Sequence, residues 1–109
     1  MRHLKREFLQ GHGETLVLAA LADGEGYGYQ LRKDLAVLSK SYFQFAFGSL
    51  YPLLDRLERR GLARKRRLKK GKARERNYYT ITAKGLKELQ DRKRAWRQFS
   101  RAMELVILR

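Results

Sequence analysis

The stretch Leu62–Thr82 reads LARKRRLKKGKARERNYYTIT and combines two patterns that predict different structures. Lysines and arginines crowd around Gly71, and two tyrosines followed by an alternating Thr-Ile-Thr close the stretch. Alternation of polar and apolar residues indicates a β-strand, and a glycine inside a polar run indicates a turn. The stretch therefore predicts a β-hairpin with strands at Leu62–Leu68 and Arg76–Thr82, joined by the basic turn Lys69–Arg74.

Positive charge is concentrated in and beside this hairpin. The 109-residue chain has a formal net charge of +15. Between Arg56 and Arg76, twelve Lys or Arg residues stand against two acids, so most of the surplus is local. Such a patch predicts a polyanionic partner, either nucleic acid or an anionic membrane surface. The alternative is a solvated basic loop with no preferred partner.

Several other classes of protein are disfavoured. The chain has no cysteine, so it has neither disulfides nor thiolate metal ligands, which fits a cytoplasmic location. The apolar run Leu16–Ala22 is too short to span a bilayer. We expect His3 and His12 to be solvent-exposed rather than metal ligands. The glycines of Gly24–Gly28 follow no predicted strand, so they do not form a dinucleotide loop. We expect no enzyme activity, no cofactor and no membrane partner.

Apolar residues at helical spacing predict the rest of the fold. Gly61 is a good residue to end the third helix. The alternating aromatics of Tyr42–Phe47 would fit a short strand by period alone. The order helix, helix, helix, hairpin, helix predicts a mainly α winged helix-turn-helix over residues 1–82, with the wing at about 62–82, and a C-terminal dimerisation helix over 83–109. The predicted helices are Leu9–Ala22, Tyr27–Ser39, Ser49–Gly61 and Ala83–Leu108.

The third helix would be the recognition helix, which enters the major groove of DNA. Its leucines face inward, which leaves Ser49, Tyr51 and Pro52 nearer the outside. Ser49 can donate a hydrogen bond to a phosphate or a base edge, and Tyr51 or Pro52 can pack on a thymine methyl group. Arg56, about two turns later, would add a contact to the DNA backbone. Alternatively, Tyr51 is a half-buried core residue and Pro52 only shapes the helix start.

Two further groups of residues are candidates for phosphate contacts. The N-terminal end of the second helix offers free N–H groups and a partial positive charge. Its candidate contacts are Tyr29, Gln30 and Lys33, whereas Tyr27 is expected to pack inside. The basic hairpin can neutralise phosphates and release counterions. Its candidate contacts are Arg66, Arg67, Lys69, Lys70, Lys72 and Arg74.

The last helix carries an apolar stripe that the small body cannot cover completely. Its spacing resembles a short coiled-coil seam and predicts a homodimer. The alternative is that the helix folds back on the first helix of its own chain. Trp96 is either an interface anchor or the wall of a pocket for a planar ligand. The stripe consists of Leu89, Trp96, Phe99, Met103 and Val106.

Four strings of the sequence resemble the PadR family of transcriptional regulators. They occur in the family's order and cover most of the chain between Thr15 and Phe99. The Gly-Ser-Leu-Tyr-Pro string followed by the Tyr-Tyr strand is the most specific part. The strings are Gly26–Tyr29, Gly48–Pro52, Arg56–Leu62 and Asn77–Gly85.

The resemblance implies a dimeric winged-helix protein, usually a repressor, on an inverted-repeat operator. Ser49, Tyr51 and Pro52 match the recognition-helix motif, and Tyr29 matches the tyrosine of the second helix. Trp96 matches an aromatic position at which some members stack phenolic or multidrug ligands. The unusually basic wing keeps two alternatives open: a non-specific architectural protein of the nucleoid, and an RNA- or ribosome-associated protein.

Overall fold

The computed structural model describes residues 8–109 as a helical body that carries a small antiparallel sheet. The exposure expected for His3 lies outside this described range, and His12, also expected to be exposed, is partly buried against Trp96. The order of elements confirms the winged helix-turn-helix with a long C-terminal helix. The elements are α1 (Gly13–Ala22), β1 (Gly26–Tyr27), α2 (Gly28–Leu38), α3 (Phe47–Arg59), β2 (Ala63–Leu68), β3 (Arg76–Ile81) and α4 (Ala83–Ile107).

The core forms where α1, α2 and α3 meet. The inner face of α3 is a row of leucines, and Leu50, Leu54 and Leu57 are fully buried. Burial of one such side chain stabilises a fold by roughly 1.5–3 kcal/mol. The leucine face of the amphipathic α3 is therefore held against the core. Its burial determines which residues of α3 face outward. The partners from α1 and α2 are Val17, Leu18, Leu21, Leu31 and Leu35.

The sheet has three strands in the order β1-β3-β2, so the basic strand β2 lies at an edge. The predicted hairpin is present, with Lys65 opposite Tyr79 and Arg66 opposite Tyr78. The third strand, β1, was not predicted. Tyr27 was assigned to the second helix, but it lies in β1 and precedes that helix. A two-residue strand has no periodicity, so the sequence pattern could not reveal it.

Two local predictions differ from the structure. The predicted helix Leu9–Ala22 is interrupted by a turn at residues 10–12, where Gly11 has φ +83°, so α1 begins at Gly13. No strand forms at residues 42–47, because Phe47 is already the first residue of α3. Pro52 lies in the second turn of α3, where it removes one helical hydrogen bond.

Two glycines set the position of the hairpin relative to the helices. Gly61 follows α3 with φ +74°, and the Leu62 N–H donates to the Leu57 carbonyl at 2.9 Å. This arrangement ends the helix as predicted. A Cβ atom at Gly85 would lie 2.1 Å from the Leu62 carbonyl oxygen, so the first turn of α4 packs directly on the backbone that enters β2. Thr82 caps α4 by accepting from the Gly85 N–H at 3.0 Å.

Candidate nucleic-acid interface

The segment Gly26–Tyr29 connects the start of α3 to the sheet. On the helix side, a Cβ atom added at Gly28 would lie 2.7 Å from the Tyr51 hydroxyl oxygen. Only a glycine leaves room for that ring. Tyr29 stacks on Phe47 with a centroid distance of 6.2 Å, and Phe47 stacks on Tyr51 at 5.8 Å. A row of three rings therefore covers the junction between the N-terminal ends of α2 and α3.

On the sheet side, the same segment holds the wing, defined here as β2, β3 and the turn between them. Gly26 pairs with Tyr79, and Tyr27 pairs with Tyr78. The Tyr27 and Tyr78 rings meet edge to face at 5.3 Å. The Lys70 ammonium lies 4.5 Å from the centre of the Tyr78 ring. One backbone segment thus fixes both the recognition helix and the wing.

The outer face of α3 carries the residues predicted to read DNA. Ser49, Tyr51 and Pro52 are all exposed, opposite the buried leucines. Tyr51 is 48% exposed and does not belong to the core, although one side of its ring rests on Gly28. Tyr51 is therefore half-buried, as the alternative states, but it lies outside the core cluster. Contact of these side chains with DNA stays a prediction.

Basic side chains flank the aromatic row. The Lys33 ammonium lies 5.6 Å from the centre of the Tyr29 ring, and the Arg32 guanidinium lies 4.8 Å from that of Phe47. Arg32 also donates to the Phe45 carbonyl at 2.7 Å, which ties α2 to the segment before α3. Arg32 was missed in the sequence. Its spacing of three residues from Tyr29 was the available signal, since such residues are neighbours on a helix.

One carboxylate neutralises two of the predicted wing contacts. Glu25 accepts from Arg66 at 2.8 Å through one oxygen and from Lys70 at 2.9 Å through the other. These hydrogen bonds, that of Arg66 foremost, hold the pKa of Glu25 below its usual range. A third predicted contact, Arg67, pairs with Glu75 at 3.3 Å. No sequence pattern indicated the Glu25 pairs, because 41 and 45 residues separate the partners.

Arg76 of the wing is partly buried over the Tyr27 ring, whereas five other basic residues of the wing point into solvent. They are exposed, and within residues 8–109 none of them forms an ion pair. Gly71 at the tip has φ +60°, which produces the tight turn closed by the bond from the Ala73 N–H to the Lys70 carbonyl. Successive residues of a strand face opposite sides, so β2 presents cations on both faces. These exposed residues are Arg64, Lys65, Lys69, Lys72 and Arg74.

A second carboxylate, that of Glu14 on α1, joins three helices. It pairs with Arg56 of α3 at 3.1 Å, with Arg60 directly after α3 at 2.7 Å, and with Arg92 of α4 at 3.5 Å. Arg92 also donates to the Thr15 hydroxyl at 3.0 Å. The structure thus places Arg56, predicted to contact the DNA backbone, in this helix junction. Glu14 links the recognition helix to the C-terminal helix electrostatically.

The apolar stripe of α4 differs from the prediction at one residue. Leu89 is 1% exposed and lies in the core of its own chain, so its assignment to a dimer interface is wrong. A leucine in the second turn of α4 is still covered by the body. Farther along the helix, Trp96, Phe99 and Val106 are more than half exposed. The available stripe therefore begins at Trp96.

A groove of about 1150 Å³ runs between α4 and the residues around the start of α1. Its walls are mainly apolar and include Phe43, Trp96, Phe99 and Met103. Trp96 meets the His12 ring edge to face at 5.4 Å, so contact between α4 and the start of α1, one of the two alternatives, is present in part. Despite this contact, most of the apolar stripe of α4 remains exposed to solvent.

Two negative findings hold for residues 8–109. No group of three or more His, Asp or Glu side chains is placed to bind a metal ion. No helix in this part of the chain is long and apolar enough to cross a membrane.

Comparison with known proteins agrees with this architecture. The model of the transcriptional regulator PadR-like family matches residues 17–91, more than half of the chain. This chain belongs to the PadR-like family. A PadR-like regulator from Bacillus cereus is 30% identical, with a TM-score of 0.79 over 93% of this chain and 96% of its own. A PadR family regulator from Eggerthella lenta is 29% identical, with a TM-score of 0.84 over 97% and 90%.

A further PadR-like neighbour was solved with nucleic acid. Bacillus subtilis PadR, in complex with operator DNA, is 27% identical, with a TM-score of 0.64 over 72% of this chain. The match spans 44% of that longer chain. The family resemblance inferred from the four sequence strings is therefore confirmed.

The Glu14 junction predicts a measurable loss of stability. Glu14→Gln removes the shared carboxylate, whose side chain is only 17% exposed, and leaves three guanidinium groups close together. We expect the free energy of unfolding in urea to fall by about 1–2 kcal/mol. Glu75→Gln removes the same charge from a pair that is more than half exposed, and should cost less than about 0.5 kcal/mol. Equal losses in the two variants would contradict the junction.

Proposed function

We propose that this PadR-like protein is a dimeric, sequence-specific DNA-binding repressor that acts on the bacterial or archaeal nucleoid. The observation that carries the proposal is the contact path through Gly26–Tyr29, from Tyr51 on α3 to Tyr78 and Lys70 on the wing. Because this path is continuous, helix and wing belong to one surface. That surface combines a helix for the major groove with cations for the flanking phosphates.

The outer face of α3 supports base reading. A major groove about 12 Å wide admits a helix, and the inner leucines orient this one with Ser49, Tyr51 and Pro52 outward. Ser49 supplies a hydroxyl for a base edge or phosphate, and Tyr51 or Pro52 supplies an apolar surface for a thymine methyl group. Tyr29, Gln30 and Lys33 of α2 would then face the DNA backbone.

The wing supports backbone binding on either side of the recognition site. Its unpaired lysines and arginines would neutralise phosphates and release condensed counterions. This contribution does not depend on sequence, so it would strengthen binding to every duplex. The same charges would therefore also suit the alternative function, that of a non-specific architectural protein of the nucleoid.

Dimer formation is supported by the uncovered stripe of α4. Trp96, Phe99 and Val106 are exposed along a helix that projects beyond the body, and Trp96 and Phe99 line an apolar groove. We propose that α4 of a second copy occupies this groove and covers the stripe. Two-fold symmetry of the dimer would place two recognition helices on an inverted repeat. The complex of Bacillus subtilis PadR with operator DNA supports operator DNA as the target.

An effector is a secondary part of the proposal. Trp96 lines the groove together with other aromatic side chains, which suits a planar or phenolic molecule. In a dimer, such a ligand would lie between Trp96 and the partner helix. Since Trp96 is the chain's only tryptophan, its fluorescence reports directly on this site.

Selection of bound sequences from random duplex DNA tests the proposed function. We expect one enriched inverted repeat, bound at least about a thousandfold more tightly than random duplex at the same salt concentration. No enriched sequence, together with steep salt dependence on every duplex, would favour the architectural protein. Tighter binding to A-form RNA than to any DNA duplex would overturn both readings.

The contact between Gly28 and Tyr51 predicts a defect in binding rather than in folding. Gly28→Ala forces the Tyr51 ring away from α2, while alanine suits the first position of a helix. The free energy of binding to the selected duplex should weaken by roughly 1–3 kcal/mol, and that of binding to random duplex should weaken less. Fluorescence anisotropy with both duplexes measures the difference, and thermal unfolding checks the fold. Equal losses of affinity for the two duplexes would show that Tyr51 does not contact bases specifically.

The stripe of α4 predicts an oligomeric state that one charge can change. Phe99→Glu should weaken the dimer at least about a hundredfold, because burial of each phenylalanine contributes roughly 1.5 kcal/mol or more and a symmetric interface loses two. Leu105→Glu is the matched control. That leucine is 62% exposed on the same helix, but it lies about 120° around the axis from Phe99. Sedimentation equilibrium should show a monomer only for Phe99→Glu. A dimer in both variants would exclude this stripe.

A further inference from the structure

We infer that Glu25 acts as an internal substitute for a DNA phosphate and limits the affinity of the wing for every duplex. The inference rests on the proposed function, because it requires the wing to contact DNA. In the free protein, the carboxylate occupies the place that a phosphate would take beside two wing cations. DNA must displace or share that carboxylate in order to use those cations.

The geometry of Glu25 matches that of a bound anion. Each carboxylate oxygen accepts one charge-assisted hydrogen bond, from Arg66 at 2.8 Å and from Lys70 at 2.9 Å. Arg66 comes from strand β2 and Lys70 from the turn, so one acid bridges two parts of the wing. Phosphate oxygens accept the same two kinds of donor. Glu25 and a phosphate therefore compete for the same cations.

The surroundings of Glu25 keep it in place. Its side chain is only 19% exposed, whereas those of Arg66 and Lys70 are both 56% exposed. The next residue, Gly26, is held in the sheet by pairing with Tyr79. Lys70 also rests on the buried ring of Tyr78, which restricts its path away from the acid. The cations are thus accessible to DNA, while the backbone holds the competing carboxylate beside them.

Restraint of this kind has a clear use in a chain of net charge +15. Phosphate contacts supply nearly all non-specific binding, and a genome offers a vast excess of non-specific sites. A fixed carboxylate lowers the effective charge of the wing by about one without removing any cation. Among residues 8–109, the tip residues Lys69 and Lys72 have no ion-pair partner. The wing would thus retain contacts for orientation while its general affinity is reduced.

Three variants test this role on a random 20-base-pair duplex over a salt series. Glu25→Gln should raise affinity about three- to tenfold, because two surface ion pairs no longer compete, and should steepen the salt slope by about 0.9. Glu25→Asp keeps the net charge but draws the carboxylate back by one methylene group, so it should give a smaller rise. Glu75→Gln, the matched control on the wing, should raise affinity no more than about twofold.

A double-mutant cycle isolates the competing contacts. In an Arg66→Gln/Lys70→Gln background, the gain from Glu25→Gln should disappear, while that from Glu75→Gln should persist. Equal gains from Glu25→Gln and Glu75→Gln, or a gain that survives in this background, would reduce the effect to net charge and overturn the inference. Weaker binding by Glu25→Gln would mean that the acid orients the cations for DNA, which would also overturn it.

The Lys69→Ala/Lys72→Ala variant separates failure of this inference from failure of the proposed function. These lysines form no ion pair in the described chain, so their loss should flatten the salt slope by about one unit per lost contact. An unchanged slope would show that these wing lysines do not contact DNA. It would overturn the wing contacts of the proposed function together with the role of Glu25. A flattened slope with equal Glu25→Gln and Glu75→Gln gains would overturn the role of Glu25 alone.

Discussion

The close packing of Gly26–Tyr29 against both α3 and the wing is the constraint on which the proposed interface depends. Four consecutive residues pair with β3, pack on a wing tyrosine, make room for Tyr51 and extend the aromatic row. A side chain at Gly28 would displace Tyr51 of α3, whose ring rests on this glycine. Because helix and wing share this segment, the distance between a major-groove contact and a flanking phosphate contact is set by local backbone geometry.

Charge placement follows a second constraint, the self-repulsion of a small body with a net charge of +15. Two acidic residues lie at positions where basic residues from different elements converge. Glu14 pairs with Arg56 of α3 and Arg92 of α4, and Glu25 pairs with Arg66 of β2 and Lys70 of the turn. Both acids are less than one fifth exposed. The cations without partners remain on the outside of the wing, where a polyanion can reach them.

Sequence patterns predicted the elements with strong periodicity and missed those fixed by distant contacts. The leucine row of α3, the hairpin and the glycine at Gly61 all carry local signals. The two-residue strand β1 carries none. Leu89 shares its spacing with the exposed stripe, so periodicity alone could not show that the body covers it. The pairs of Glu14 and Glu25 join residues more than 40 positions apart, and only the folded chain brings them together.

Hydroxyl-radical footprinting on the selected duplex tests the central claim, that helix and wing form one surface presented twice by a two-fold dimer. The account predicts two symmetric sets of protected sugars whose centres lie about 10 base pairs apart or a multiple of this spacing, each with a flanking protection from the wing. Those flanking protections should fade in the Lys69→Ala/Lys72→Ala variant while the central ones remain. A single continuous protection without phase, or flanks unaffected by the wing lysines, would contradict it.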